Sequence, residues 1–198
     1  MSGGDQRLSG ESAASARKPQ HAYHGRVMSS GLGLTVRRAM PSEMGHAAAL
    51  FREYARSIEH LCAASFAQQN LEEELRTLPG KYAEPAGCVL LAWDGTGTPV
   101  GCVALRPLER AAHDPPAERV CEMKRLYVRP TARGGGIGAR LCADLIAFAR
   151  AAGYSLMKLD TEPELESACE LYARLGFVPI PRYNDDPQPR TVYLGLRL

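Results

Sequence analysis

The chain has 198 residues, 45% of them hydrophobic and 23% charged, which suits one globular domain with a substantial core. A formal net charge of +2 lies too near neutral to argue for a nucleic-acid or membrane-surface partner, and no apolar run approaches the ~20 residues that cross a bilayer. The six cysteines (Cys62, Cys88, Cys102, Cys121, Cys142 and Cys169) form no C-x-x-C pair and have no histidine cluster beside them. They read as buried, reduced thiols of a cytoplasmic protein rather than as disulfides or metal ligands, and no metal is expected.

Residues 1–32 are rich in Gly, Ser, Ala and Arg without hydrophobic period, lack the apolar core of a secretory signal, and read as a disordered tail ahead of a domain spanning 33–198. Met28 offers an alternative start. Leu34 and Val36 mark a short strand, and Pro41-Ser42 opens a helix carrying Met44, Ala48, Leu50, Phe51 and Tyr54. A second helical stretch holds Leu71, Leu75 and Leu78 and stops at Pro79-Gly80. Gly87 to Trp93 and Val100 to Leu105 are apolar strands joined by Asp94-Gly95-Thr96-Gly97, a hairpin signal. After a polar, proline-bearing loop from Pro107 to Pro116 comes a strand from Val120 to Val128, a glycine-rich turn, and a helix to about Ala152. A strand at Leu156 to Asp160, a helix at Glu164 to Leu175 and strands near Phe177 and Val192 close the chain. The mixture predicts an α/β (α+β) sheet domain.

Two local patterns carry chemistry. In Arg133-Gly134-Gly135-Gly136-Ile137-Gly138, glycines let successive amides point into one concavity at a helix N-terminus, which makes an anion site that Arg133 can reinforce. Gly134, Gly136 and Ala139, with Asp160 about 20 residues on, also satisfy the dinucleotide fingerprint. That fingerprint follows its strand directly, however, whereas Arg129 to Arg133 intervene here, and too little chain remains for a doubly wound sheet. The second pattern is a change of parity. Cys121 and Met123 are apolar at odd positions but Leu126 and Val128 at even ones, so the inward phase slips near Lys124-Arg125. A β-bulge produces that slip and bends the strand; a strand apolar on both faces is the alternative.

Glu122-Met123-Lys124-Arg125-Leu126-Tyr127-Val128-Arg129-Pro130, followed by Arg133 to Gly138, resembles the acetyl-CoA-binding motif of the GNAT (GCN5-related) N-acetyltransferase superfamily. Arg133, Gly136 and Gly138 fill its fixed positions, and Ala168, Leu171-Tyr172 and Gly176-Phe177 are similar to the family's A-x-x-L-Y-x-x-x-G-F stretch. The resemblance covers roughly Leu34 to Leu198 and implies the GNAT fold, a mixed central sheet with a bulged, splayed strand pair and flanking helices. It implies acetyl-CoA as cosubstrate, held by Leu126, Tyr127, Val128, Arg133, Gly134, Gly135, Gly136, Ile137 and Gly138. One departure is Leu165, which stands where many members carry an asparagine that binds pantetheine.

For the chemistry, the resemblance points to Tyr172 as the acid that protonates the departing thiolate; a core tyrosine is the alternative, since Leu165, Ala168, Tyr172 and Leu175 form one stripe. Glu122 is the candidate base or amine-binding group, against a strand carboxylate paired with Arg106, Lys124 or Arg125. Arg106 and Arg125 are candidate binders of a substrate carboxylate, against ordinary salt bridging. The expected partner is a small-molecule amine, with neither nucleic acid nor membrane, and a homodimer is open. A CoA-sensing module without catalysis and a protein or peptide amine acetyltransferase are the competing functions.

Overall fold

The computed structural model describes residues 33–68 and 70–198; the tail expected over 1–32 lies outside them. Seven strands form one sheet: β1 (Thr35–Arg38), β2 (Cys88–Trp93), β3 (Pro99–Pro107), β4 (Val120–Val128), β5 (Leu156–Thr161), β6 (Val178–Pro179) and β7 (Val192–Arg197), in the order β1-β2-β3-β4-β5-β7-β6. Every neighbouring pair is antiparallel except β4–β5, which is parallel and joined by the crossover helix α4 (Ile137–Ala151). Helices α1 (Met44–Ser57), α2 (Glu59–Gln68) and α3 (Leu71–Arg76) precede β2, and α5 (Glu166–Arg174) follows β5.

The sheet separates two apolar cores. On one face Val103, Leu105, Cys121, Met123, Met157 and Leu159 pack with Leu141 and Leu145 of α4 and Tyr172 of α5. On the other, Val89, Leu91, Cys102 and Ala104 pack with Ala47, Leu50 and Phe51 of α1 and Leu75 of α3. The β2–β3 hairpin closes where predicted: Asp94 Oδ1 accepts the amides of Thr96 and Thr98, both at 2.9 Å, and Gly97 takes φ +79°. The cysteines carry free thiols, and all but Cys169 are buried.

Helix α2 is an addition to the elements read from sequence. Its residues lack a clear apolar stripe, and at Cys62 the backbone leaves helical geometry (φ −129°, ψ 20°). Helix α3 ends at Arg76, so Leu78 belongs to the turn before Pro79-Gly80.

The parity slip on β4 is a bulge. Cys102 pairs with Tyr127 and Ala104 with Lys124, so β4 spends three steps where β3 spends two. Leu126 and Val128 thereby pack against the same core as Cys121 and Met123, while Tyr127 turns to the opposite core. Arg125 absorbs the distortion with φ +61°, uncommon for a residue with a side chain. Beyond it the parallel pair separates. Val120, Cys121 and Glu122 pair with Leu156, Met157 and Lys158, after which β5 continues to Thr161 beside β7 and β4 continues to Val128 beside β3.

Candidate active site

The divergence of β4 and β5 opens a cleft of about 70 Å³. One wall is Met123 to Leu126 at the bulge, the other Asp160, Thr161 and Glu162 at the end of β5. Tyr54 of α1, Cys62 and Ser65 of α2, Leu165 and Tyr172 at α5, and Asp186 also line it.

The glycine turn lies where β4 hands over to α4. Arg129 fixes the exit of β4 by a bidentate pair with Glu53 (2.9 and 2.6 Å) and a bond to the Pro99 carbonyl at 2.8 Å. Arg133 donates from Nε to the Val128 carbonyl at 3.0 Å, holding the turn against the strand end. Gly134 and Gly136 adopt φ +87° and +74°, the left-handed region that glycine enters at no steric cost. A Cβ built at Gly134, Gly135 or Gly136 would meet nothing within 4 Å, so the turn presents open, bare backbone. The backbone amide of Arg140 donates to the Gly136 carbonyl at 3.0 Å, and the amides of Ile137, Gly138 and Ala139 precede this first intrahelical donor. Bare backbone, unpaired amides and the positive end of a helix together suit a diphosphate.

The proposed proton-handling groups separate. Tyr172 lines the cleft, and burial keeps its phenol protonated far above neutral pH. Glu122 is fully buried and lies behind the cleft wall rather than in it. Its Oε2 accepts from Arg106 Nε at 2.5 Å, its Oε1 accepts from the Tyr183 hydroxyl at 2.9 Å, and Lys124 Nζ is 3.8 Å away. That arrangement engages Glu122 with Arg106, one of the pairings weighed against catalysis from sequence.

Both candidate carboxylate binders are likewise engaged within the chain. Arg106 serves Glu122. Arg125 is 4% exposed and grips Glu74 of α3 in a fork, Nε to Oε1 at 2.9 Å and Nη2 to Oε2 at 3.0 Å. The carboxylate that each arginine was expected to receive from a substrate is supplied by the protein. A strand pattern could not reveal this, because Glu74 lies far away in sequence and the bulge decides which way Arg125 points.

Sequence reasoning missed the acidic wall. Asp160 accepts from Lys124 at 2.8 Å; burial would raise its carboxyl, but the charge and hydrogen bond of Lys124 outweigh this and hold it below the usual range. Glu162 is pushed the other way, first by burial, with the Thr191 hydroxyl partly opposing and Asp186, Glu164 and Asp160 adding repulsion. The available signal was position, since ligands of α/β sheets gather outside the carboxyl ends of strands, where Asp160 and Glu162 stand.

The sequence profile of the Acetyltransferase (GNAT) family matches residues 50–177. An uncharacterised N-acetyltransferase of Schizosaccharomyces pombe is 40% identical over 130 residues, covering 66% of this chain and 76% of the relative. Among solved structures, an acetyltransferase from Streptococcus agalactiae superposes with a TM-score of 0.64 at 20% identity, over 84% of this chain and 99% of the other. A GNAT-superfamily phosphinothricin acetyltransferase from Sinorhizobium meliloti, solved in complex with acetyl-CoA, gives a TM-score of 0.60 at 18% identity, over 84% and 89%. With the bulged and parted strands, the bare glycine turn and the profile match all in the same stretch of chain, the protein belongs to the GNAT family and is an acetyl-CoA-dependent N-acetyltransferase.

Proposed function

We propose that the chain transfers an acetyl group from acetyl-CoA to a small-molecule primary amine by direct attack within a ternary complex. The observation that carries this reading is the gap between β4 and β5 immediately beside the open glycine turn. The residues present fit the cosubstrate: the turn offers unfilled backbone for a diphosphate, and the gap offers a slot between two strand edges for an extended arm. When bound, the thioester supplies the activated acyl group.

The amides from Gly134 to Gly138, with Arg133, would hold the diphosphate, and Ile137 anchors the helix that aims them. Backbone groups of Leu126 and Val128 would align the arm, and an amide at the bulge would polarise the reacting carbonyl. Tyr127 contributes differently: its ring packs against Tyr54 at 6.2 Å and stiffens the bulge from the far side. Leu165 lines the cleft in place of a polar contact, so its contribution to the arm would be apolar. Tyr172, protonated and in the cleft, would donate to the leaving sulfur.

Release of free thiol from acetyl-CoA, followed across a panel of primary amines, tests the reading. Turnover of at least one small amine is expected. Turnover confined to polypeptide amines would replace the small-molecule assignment by a protein one.

A further inference from the structure

An unpaired carboxylate is costly to bury, by several kcal/mol on the order of magnitude, so one that stays buried calls for a reason. Glu74 has Arg125 and Lys81, Asp114 has Lys158, and Glu122 has Arg106. Glu162 is buried too, at 7% exposure, yet among the described residues no cation lies within ion-pair distance of it. Its Oε1 accepts the Thr191 hydroxyl at 2.8 Å, which fixes the carboxyl and leaves Oε2 for another donor. Asp186, the other buried carboxylate without a cation, is more fully used: its Oδ1 takes the Ser65 hydroxyl at 2.8 Å and the Gln188 amide at 2.9 Å. Glu162 follows Thr161, the last residue of β5, and so lines the cleft where the two strands have already parted.

We propose that Glu162 binds the acceptor's ammonium group in the cleft and receives its proton. The proposal rests on the acetyl-transfer reading above. In the step, one proton of the ammonium passes to Glu162 Oε2, and the lone pair this frees forms the C–N bond; the nitrogen then releases a second proton to solvent, leaving the neutral amide. The C–S bond breaks with its electron pair on sulfur, which takes a proton from Tyr172 or solvent. The groups facing Glu162 suit this role. Asp160, Glu164 and Asp186 repel its charge, the Thr191 hydroxyl steadies it, and the Cys62 thiol of α2 is pushed up to about 12 and stays neutral. The nearby cations are engaged, Lys124 with Asp160 at 2.8 Å, Arg190 with Glu164 at 2.5 Å and Arg182 with the carbonyls of Asn184 and Asp186 at 2.6 and 2.8 Å. Burial therefore raises the Glu162 carboxyl above the ordinary glutamate range, the direction that suits a base.

The same bookkeeping of charge names the substrate class. Arg106, Lys124 and Arg125 are each bound to a carboxylate of the protein, so an acceptor bearing its own carboxylate meets an acidic wall with no cation assigned to it. The acceptor is a primary amine without a neighbouring carboxylate.

Three measurements test this. Carbon-13 NMR of the unliganded protein should give Glu162 a titration midpoint clearly above the roughly 4.3 of an ordinary glutamate; a midpoint at or below that value overturns the proposal. Putrescine and tyramine should be acetylated in preference to glycine and glutamate, with the acidic limb of kcat/KM following the NMR midpoint. In Glu162→Gln, kcat/KM should fall ~10²-fold or more and the limb should vanish, while acetyl-CoA affinity by calorimetry stays within about twofold. A wild-type limb in that variant, turnover confined to the amino acids, or none with any of the four amines overturns it. Failure of wild-type protein to bind acetyl-CoA would instead refute the acetyl-transfer reading.

Discussion

The Arg125–Glu74 fork should be worth far more than an ordinary ion pair, because it holds the bulge from which the site is built. Glu74→Gln keeps the shape of the side chain but leaves a buried guanidinium without a full counter-charge. Burial, the largest single influence on Glu74, would raise its pKa; the hydrogen bond and charge of Arg125, with those of Lys81, outweigh it and lower the value to about 2. Against roughly 4.3 in an unfolded chain, at about 1.36 kcal/mol per unit, that difference corresponds to about 3 kcal/mol. Breaking a buried pair from one side costs ~3–5 kcal/mol in general, so two routes agree. Urea unfolding at pH 7 should show the loss, and the melting temperature should drop by about 6–12 °C for a domain of this size. The sign with pH is fixed. A depressed carboxyl stabilises above its unfolded pKa and loses that contribution as pH falls through the folded value. The gap between wild type and variant should therefore be full at pH 7 and narrow by roughly 1.7 kcal/mol at pH 3. A gap below about 1 kcal/mol at pH 7, or one that stays constant down to pH 3, would refute the reasoning.

Further outcomes follow from the same geometry. Tyr172→Phe keeps the ring that packs on Phe177 at 5.7 Å and removes the donor, so kcat should fall ~10-fold or more with acetyl-CoA affinity unchanged; an unchanged kcat with chemistry rate-limiting leaves it a packing residue. Glu122→Gln strips Arg106 of its counter-ion and should lower stability by about 1–3 kcal/mol, while the acidic limb of the pH–rate profile persists. Loss of that limb in Glu122→Gln, in a folded protein, would return the base role to Glu122. Asp114→Asn leaves Lys158, 1% exposed, without its partner at 2.7 Å, and should cost ~3 kcal/mol or more in urea unfolding; a change within error would mean that the pair contributes little.

Much of the architecture was legible because it is written in local periods. The odd-to-even change between Met123 and Leu126 located the bulge, since a pleat cannot keep one face apolar through such a change without an extra residue. The glycines between β4 and α4 were legible for a similar reason, as their left-handed conformations exclude most side chains. Helix α2 was not, because Leu61, Cys62 and Ala63 to Ser65 give no single stripe and it packs on α1. The charged residues were the hardest to place. Glu122, Asp160 and Glu162 look alike in sequence, and what distinguishes them is whether a cation arrives: Arg106 for the first, Lys124 for the second, and among the described residues none for the third. Those partners come from other strands and loops, so sequence reasoning singled out Glu122 alone and passed over Asp160 and Glu162.

The central claim is that the open turn at Gly134 to Gly138 holds the diphosphate of acetyl-CoA, and calorimetry with two glycine variants addresses it. Gly136 and Gly97 share a left-handed φ, +74° and +79°, and neither has a neighbour within 4 Å of an added Cβ. Aspartate at either position therefore brings the same backbone strain, but at Gly136 alone its charge would sit in the proposed phosphate site. Like charges near 4 Å cost about 1 kcal/mol in water and about 4 kcal/mol at an effective dielectric of 20. Gly136→Asp should thus weaken acetyl-CoA binding by ~5-fold to ~1000-fold, while Gly97→Asp binds as the wild type does. Equal affinity in all three folded proteins would contradict the assignment.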